Sequence, residues 1–256
     1  MKYLALIQAR CDSSRLKNKV LLPLGDKPVL QCIIERVRLS RLVDEVMVIT
    51  SIGRSNLPIL SLCANIGVRV YVGSEDDVLD RYYQASRLIQ PEYIIRITGD
   101  CPLFDAGLLD QAIEQMAPDT DFLSMLSESF ADGLDLEIMR YDVLQKAWKE
   151  ARLSSQREHV TQYIIQNPDL FMFQDFVSPI GYFGNKRWTL DEQEDYDLIL
   201  AIYEHFNQAG MYDFTYRNII SFLDKNPELE KLNAKYTRNE GLAKSLAADH
   251  VVESKE

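Results

Sequence analysis

The sequence predicts an α/β fold with a mostly parallel central sheet flanked by helices, and three observations carry that expectation. Four short apolar segments, at residues 3–7, 46–50, 68–72 and 93–98, have the length and composition of buried strands. Between them lie stretches whose apolar residues recur at helical spacing. Each connection is long enough for a right-handed crossover, which needs about a dozen residues or more.

Taken in order, the first strand stops at the polar loop Gln8 to Lys19, and the chain turns through Val20 to Pro28 into a helix at 29–39. That helix presents Leu30, Ile33, Ile34 and Val37 on one face. A strand at 46–50 is followed by a helix at 57–66 ended by Gly67, and the strand at 68–72 ends at Gly73. A helix at 78–89 leads to the strand at 93–98, the loop Gly99-Asp-Cys-Pro102 and a helix at 106–116. The alternation loosens after Pro118. Strands are expected at 121–125, 134–139 and 171–177, a short one at 188–190, and helices at 141–151, 156–166 and 192–207. From about residue 214 the chain reads as a helical tail that becomes polar and frayed from Ala248. No repeat or linker divides it, so residues 1–256 are expected as one domain, with 119–187 a mixed-sheet extension over the substrate and the dimer contact.

Composition narrows the class of partner. A formal net charge of −11 opposes nucleic acid and anionic membrane, both of which need a broad basic face. No apolar run approaches the roughly 20 residues that span a bilayer, and the first residues lack a secretory pattern, so a cytoplasmic location is expected. Cys11, Cys32, Cys63 and Cys101 lack paired spacing, and only three histidines accompany them. Reduced thiols in packing roles follow, with neither a disulfide framework nor a zinc site.

Three constellations carry chemistry. The loop after the first strand gathers Arg10, Arg15, Lys17 and Lys19 with Ser13 and Ser14, opposed only by Asp12. It is either a solvated basic loop or a polyphosphate cradle built from side chains. Neither Gly-x-Gly-x-x-Gly nor Gly-x4-Gly-Lys-Ser/Thr is present, so a dinucleotide oxidoreductase and a P-loop hydrolase are unsupported. At the end of the fourth strand, Asp100 follows Gly99 and either caps the next helix or holds Mg²⁺. In Trp188-Thr-Leu-Asp191, Asp191 either caps a helix with Glu194 as its partner or stands beside Asp100 on a shared divalent ion.

Together the blocks Gln8-Ala-Arg10, Ser13-Ser-Arg-Leu-x-x-Lys19, Arg96-Ile-Thr-Gly-Asp100, Asp132-Gly-Leu-Asp-Leu-Glu137, Arg157-Glu-His159 and Arg187-Trp-Thr-Leu-Asp191 resemble the SpsF-like spore-coat polysaccharide cytidylyltransferases. Those enzymes are similar to acylneuraminate and 3-deoxy-manno-octulosonate cytidylyltransferases. The resemblance implies a GT-A-like, Rossmann-like nucleotidyltransferase fold and transfer of CMP from CTP to an acidic sugar, with release of pyrophosphate and usually as a homodimer. It implies that Gln8, Ala9, Arg10, Ser14, Arg15 and Lys19 hold the nucleotide, with Arg10, Arg15 and Lys19 catalytic and Ser74 and Arg81 at a looser match. It further implies that Asp100 and Asp191 bind Mg²⁺, and that Asp132, Asp135, Glu137, Arg157, Glu158 and His159 meet the sugar. Read on their own, Glu158 and His159 equally suit a surface helix start. Lys17-Asn18 stands where that family has Pro-Gly, and asparagine tolerates a left-handed backbone. The alternatives are a sugar-1-phosphate nucleotidyltransferase and a CTP-binding protein without catalysis. A glycosyltransferase of this fold would carry Asp-x-Asp, and Glu137 takes the second place after Asp135.

Overall fold

The computed structural model describes residues 1–252. Its first strand, β1 (Tyr3–Gln8), sends Tyr3, Ala5 and Ile7 to one layer of the core and Leu4 and Leu6 to the other. An apolar residue at every position from Tyr3 to Ile7 suits a strand buried on both faces. A short hairpin, β2 (Pro23–Leu24) and β3 (Lys27–Pro28), then delivers the chain to α1 (Val29–Val37). There follow β4 (Glu45–Ser51), α2 (Leu57–Asn65), β5 (Arg69–Gly73), α3 (Val78–Arg87), β6 (Tyr93–Thr98) and α4 (Ala106–Gln115). These are the predicted strands and helices, with ends shifted by a few residues at most.

The second half adds β7 (Phe122–Ser124), β8 (Glu137–Arg140), α5 (Tyr141–Glu150), α6 (Ser154–Glu158), α7 (Gln162–Gln166), β9 (Phe173–Asp175), α8 (Gln193–Gln208), α9 (Tyr216–Lys225) and α10 (Glu240–Ala247). The sheet order is β5-β4-β1-β6-β8-β7-β9, and β8 alone is reversed relative to the rest. The chain therefore winds outward from β1 to β5, returns, and places β6 on the opposite side of β1. That reversal opens a crevice at the carboxyl ends of β1 and β6, where open α/β sheets receive ligands.

Three expectations are corrected. Residues 188–190 are extended but form no strand: the Trp188 amide donates to the Asp132 carbonyl at 2.7 Å and the Leu190 amide to the Asp100 carbonyl at 2.8 Å, with one isolated bridge between Asp132 and Arg187. Two different partners cannot make a ladder. The helix expected at 156–166 is two short ones, because Val160 sits at φ 51°, a region that a β-branched residue rarely enters and that breaks helical propagation. The tail is not loose at 249–252, where the Val252 amide donates to the Arg152 carbonyl at 2.7 Å and His250 accepts from the Ser154 amide at 2.9 Å.

Gly133 lets the extension reach the crevice. It has φ +101°, and a Cβ there would lie 2.5 Å from the Trp188 carbonyl carbon and the Thr189 nitrogen. Gly133→Ala is expected to cost about 3 kcal/mol in a urea unfolding series, since strain and backbone overlap add. A loss below about 1 kcal/mol would show that 132–134 and 188–189 separate freely.

Candidate active site

The loop after β1 is shaped by backbone tethers. The Cys11 amide donates to Asn56 Oδ1 at 2.8 Å, and the Cys11 carbonyl accepts from the amides of Ser13 and Asn18, each at 3.0 Å. Asn56 is itself buried and fixed by donating to the Ser51 carbonyl and hydroxyl, both at 3.0 Å. Asn18 adopts φ 56°, ψ 25°, the left-handed conformation that asparagine accepts more readily than most residues. The chain then enters a single 3-10 turn at Lys19–Leu21. Asp12 accepts from the Ser55 hydroxyl and is exposed, and it does not line the crevice.

The loop after β6 approaches this one closely. The Gly99 amide donates to the Gln8 carbonyl at 2.8 Å, and a Cβ on Gly99 would stand 2.8 Å from that same oxygen. Asp100 is not a helix cap. Asp105 caps α4 instead, accepting from the Leu108 amide at 3.0 Å. Asp191 is likewise free of capping: Glu192 is the N-cap of α8, and Asp195 is its reciprocal partner, not Glu194.

Asp195 is fully buried and fixes the approach to α8. It accepts from the backbone amides of Asp191 at 3.0 Å and Glu192 at 2.9 Å, from Arg187 through both carboxylate oxygens at 2.9 and 2.8 Å, and from Asn233 at 2.9 Å. A buried carboxylate with this many donors satisfies itself and aims its neighbour. The consequence is the position of the Asp191 side chain.

Four residues from three separated segments meet. The Lys19 ammonium donates to Asp100 Oδ2 at 2.9 Å and to Asp191 Oδ1 at 2.7 Å, while Arg15 Nη2 lies 2.8 Å from Asp191 Oδ2. Burial alone would lower the pKa of Lys19, but Asp100 and Asp191 outweigh it and hold the ammonium above its ordinary value. Burial also works against ionised Asp100, yet Lys19 and the Thr98 hydroxyl bring it down to about 2. Among the described residues no three His, Cys, Asp or Glu side chains converge on a metal position. Two carboxylates do converge, on Lys19. A hard divalent ion takes one or two carboxylates and completes its shell with phosphate oxygens and water, so Asp100 and Asp191 fit Mg²⁺ as a pair that needs a nucleotide to finish the set.

These residues open on a cavity of about 1210 Å³. Gln8, Ala9, Arg10, Ser14, Arg15 and Lys19 line it from the first loop, and Asp100 and Asp191 from the loops opposite. Ser74 and Arg81 line it beside the end of β5, and Arg157, Glu158 and His159 line it from α6 and the residue after it. Four buried polar atoms in this lining lack a hydrogen-bond partner: Gln8 Oε1, Arg81 Nε, Arg96 Nε and His159 Nε2. Polar atoms left bare in one cavity are what a polar ligand satisfies. Burial, with Arg96 adding to it, lowers the pKa of His159 and keeps the ring neutral, and burial also lowers that of Arg81.

Asp132, Asp135 and Glu137 do not reach the cavity. Asp132 pairs with Arg187 at 3.2 Å, Asp135 with Arg238 at 2.6 Å, and Glu137 with Arg96 at 2.6 Å while accepting from the Thr161 hydroxyl at 2.9 Å. Their partners lie as much as 103 residues away, so no local pattern distinguishes these internal ties from ligand contacts. Burial first, and then Asp135, raises Asp132 to about 7. Arg157 does line the cavity, but Asp77 Oδ2 holds it at 2.6 and 3.0 Å and the Trp148 carbonyl at 2.7 Å, so its guanidinium is largely engaged. Asp77, Arg96, Trp148, Asn56 and Asp195 went unrecognised in the sequence. Asp77 had a capping signal, since it accepts from the Asp80 amide at 2.9 Å at the start of α3, but nothing local announced Arg157 as its partner.

The chain is similar to known proteins. Residues 4–240 match the profile of the family described as cytidylyltransferase. The spore coat polysaccharide biosynthesis protein SpsF of Bacillus subtilis is 33% identical over 88% of this chain and 95% of its own. A 3-deoxy-manno-octulosonate cytidylyltransferase of Geobacter sulfurreducens is 34% identical over 46% of each chain. The solved structure of a cytidylyltransferase from Leptospira borgpetersenii superposes with a TM-score of 0.85 at 31% identity, covering 93% of this chain and 98% of that one.

Asp100 gives the site a pH signature. Its pKa in the folded chain is about 2 against an ordinary 3.8, so its stabilising contribution is present above pH ~4 and is lost as pH falls toward 2. Lys19 is raised, so its part persists at neutral pH and is lost only on the alkaline side of 10.5. The stability gap between the parent chain and Asp100→Asn should therefore be of order 2 kcal/mol at pH 6 and shrink below pH ~4. Urea unfolding across pH 2.5–7 measures this, and a gap that stays constant throughout would contradict the ion pair.

Proposed function

The chain belongs to the cytidylyltransferase family, and from that premise we propose that it transfers CMP from CTP to a hydroxyl of an acidic sugar of the nonulosonate or octulosonate type, releasing pyrophosphate. The observation that carries this reading is the Lys19 ammonium held between Asp100 and Asp191, with Arg15 on the same carboxylate, at the carboxyl edge of β1 and β6. The acceptor class is supported by the similarity to the octulosonate enzyme, and the cavity is large enough for a nucleotide and a sugar together.

In this mechanism Arg10, Arg15 and Lys19 neutralise the triphosphate from beneath, and Ser14 offers a hydroxyl to the same oxygens. The acceptor oxygen forms its bond to the α-phosphorus as the bond to the departing pyrophosphate breaks. Such a transfer demands positioning and charge neutralisation and no covalent enzyme intermediate. Lys19 serves the α-phosphate, because two ionised carboxylates keep its ammonium charged and immobile. Asp100 and Asp191 would hold Mg²⁺, which when bound supplies further neutralisation of the phosphates. His159, neutral near pH 7, lines the cavity as a hydrogen-bond partner for acceptor hydroxyls.

The quaternary reading is a homodimer, supported by the outer edge of β9, with Met172 and Val177 both more than half exposed beside it. An open strand edge flanked by apolar side chains favours pairing with another chain. No helix among the described residues is long and apolar enough to cross a membrane, and a cytoplasmic setting, where CTP is made, suits the reaction.

A coupled pyrophosphate-release assay tests the reading, with CTP and Mg²⁺ and a panel of 3-deoxy-manno-octulosonate, N-acetylneuraminate and sugar 1-phosphates. Release is expected with a keto-acid sugar and not with the phosphates. Lys19→Ala should lower kcat about 100-fold or more with the fold intact by circular dichroism. Release with sugar 1-phosphates alone would replace this reading with the phosphorylated-acceptor one, and an active Lys19→Ala chain would remove Lys19 from the chemistry.

A further inference from the structure

The family match ends at residue 240, yet the cavity wall does not. Gly241, His250 and Val252 line the same cavity as Lys19. The segment that carries them is clamped to one place. Asp249 accepts from the Ser154 hydroxyl at 2.9 Å, the Ser155 amide at 2.9 Å and the Ser155 hydroxyl at 2.8 Å. His250 accepts through its carbonyl from the Ser154 amide, and the Val252 amide donates to the Arg152 carbonyl. Val251 forms an antiparallel bridge with Leu153. From α10, the Ser245 hydroxyl donates to Glu158 Oε2 at 3.0 Å.

All of these partners belong to residues 152–158, the approach to α6 and α6 itself. Among the described residues, none of the hydrogen bonds of 240–252 reaches the loop after β1, Asp100 or Asp191. The segment therefore touches the cavity on the side of Arg157, Glu158 and His159, away from the cations that suit the triphosphate. It also completes α6. Leu153, the N-cap residue of that helix, has no polar side chain to offer, and the Asp249 carboxylate takes an amide of the first turn in its stead.

We infer that residues 241–252 form the wall that fits the acceptor, so that the length of acceptor admitted is set by a segment outside the part of the chain matched by its family, with Asp249 as the positioning residue that seats it. The inference rests on the reading that the acceptor is a sugar. A wall acts on length directly. Each added carbon of an acceptor must find room or be refused, and one group of that size is worth about 10- to 200-fold in selectivity when the pocket is firm. Asp249→Ala removes three accepted hydrogen bonds at once and loosens the wall without touching Lys19, Asp100 or Asp191.

The experiment compares the full chain with Asp249→Ala and Asp249→Asn. It measures KM for CTP, kcat and KM for the eight-carbon 3-deoxy-manno-octulosonate and the nine-carbon N-acetylneuraminate, and the rate of His159 acylation by diethyl pyrocarbonate followed by peptide mass. In Asp249→Ala the KM of the better acceptor should rise about tenfold and the preference between the two should collapse to within about threefold, while KM for CTP stays within about twofold. Asp249→Asn, which keeps an oxygen toward the Ser155 amide, should recover part of the loss. His159 should acylate about fivefold faster once the wall is loose. Unchanged acceptor KM and preference in Asp249→Ala would overturn the inference and leave the proposed function standing. Transfer to neither sugar by the full chain would defeat the acceptor reading and, with it, the wall's role toward the acceptor. An unchanged acylation rate in Asp249→Ala would overturn the seating role of Asp249 whichever acceptor is used.

Discussion

The ammonium of Lys19 between two carboxylates is the constraint on which the rest of the site depends. Taking one lysine and two aspartates partly out of water costs several kcal/mol per ion unless each finds partners. Here each does: Lys19 meets Asp100 and Asp191, and Asp191 also meets Arg15. The cluster can form only if the loop after β1, the loop after β6 and the segment before α8 arrive at one point. The register between β1 and β6, which pairs Gln8 with Thr98, brings the first two together, and the Leu190 amide on the Asp100 carbonyl brings the third.

Behind this cluster stands a second, which carries no substrate. Asp195 ties Arg187, Asn233 and two backbone amides into one node, and Arg187 extends it to Asp132, while Arg238 connects Asp135 and the Phe130 carbonyl to the tail. Asp132 and Asp135, which the sequence offered as sugar contacts, are fasteners of this layer. Both roles suit an aspartate, since an acid drawn partly out of water has to be paired or ligated, and sequence reveals the acid without its partner.

Legibility in the sequence followed the range of the interactions. The four parallel strands and their helices were readable because apolar periodicity is local and burial on both faces leaves no polar gaps, as in Leu4, Ala5, Leu6 and Ile7. The basic loop, Asp100 and Asp191 were readable as residue types, and the resemblance to a family placed them in one pocket. What was not readable lay in contacts across long separations. Asp77 to Arg157 spans 80 residues and Asp249 to Ser155 spans 94, and neither pair leaves a trace in its own neighbourhood. The break at Val160 was hidden because nothing local forbids a helix through 156–166, so tertiary packing overrode propensity there. The tail was misjudged at 249–252 for the same reason, and the rest of the expected frayed end, 253–256, lies outside the described residues. A polar terminus looks frayed until one of its carboxylates finds a helix to cap.

Charge bookkeeping links the two halves of the site. Arg15, Lys19 and Arg187 bring three positive charges to their cluster, and Asp100, Asp191 and Glu192 bring three negative ones. The cluster as it stands is thus balanced and has little positive charge to spare. Arg10 and Arg81, which also line the cavity, offset only part of the roughly four charges of CTP. A nucleotide that arrived alone would have to pull Lys19 and Arg15 off their carboxylates and leave Asp100 and Asp191 exposed to each other. A divalent ion held by Asp100 and Asp191 would supply the positive charge that Lys19 otherwise gives the two acids. Affinity for the nucleotide would then be linked to affinity for the ion, each lower without the other. The paired aspartates also fix the Lys19 ammonium, so the same two carboxylates that suit an ion aim the lysine.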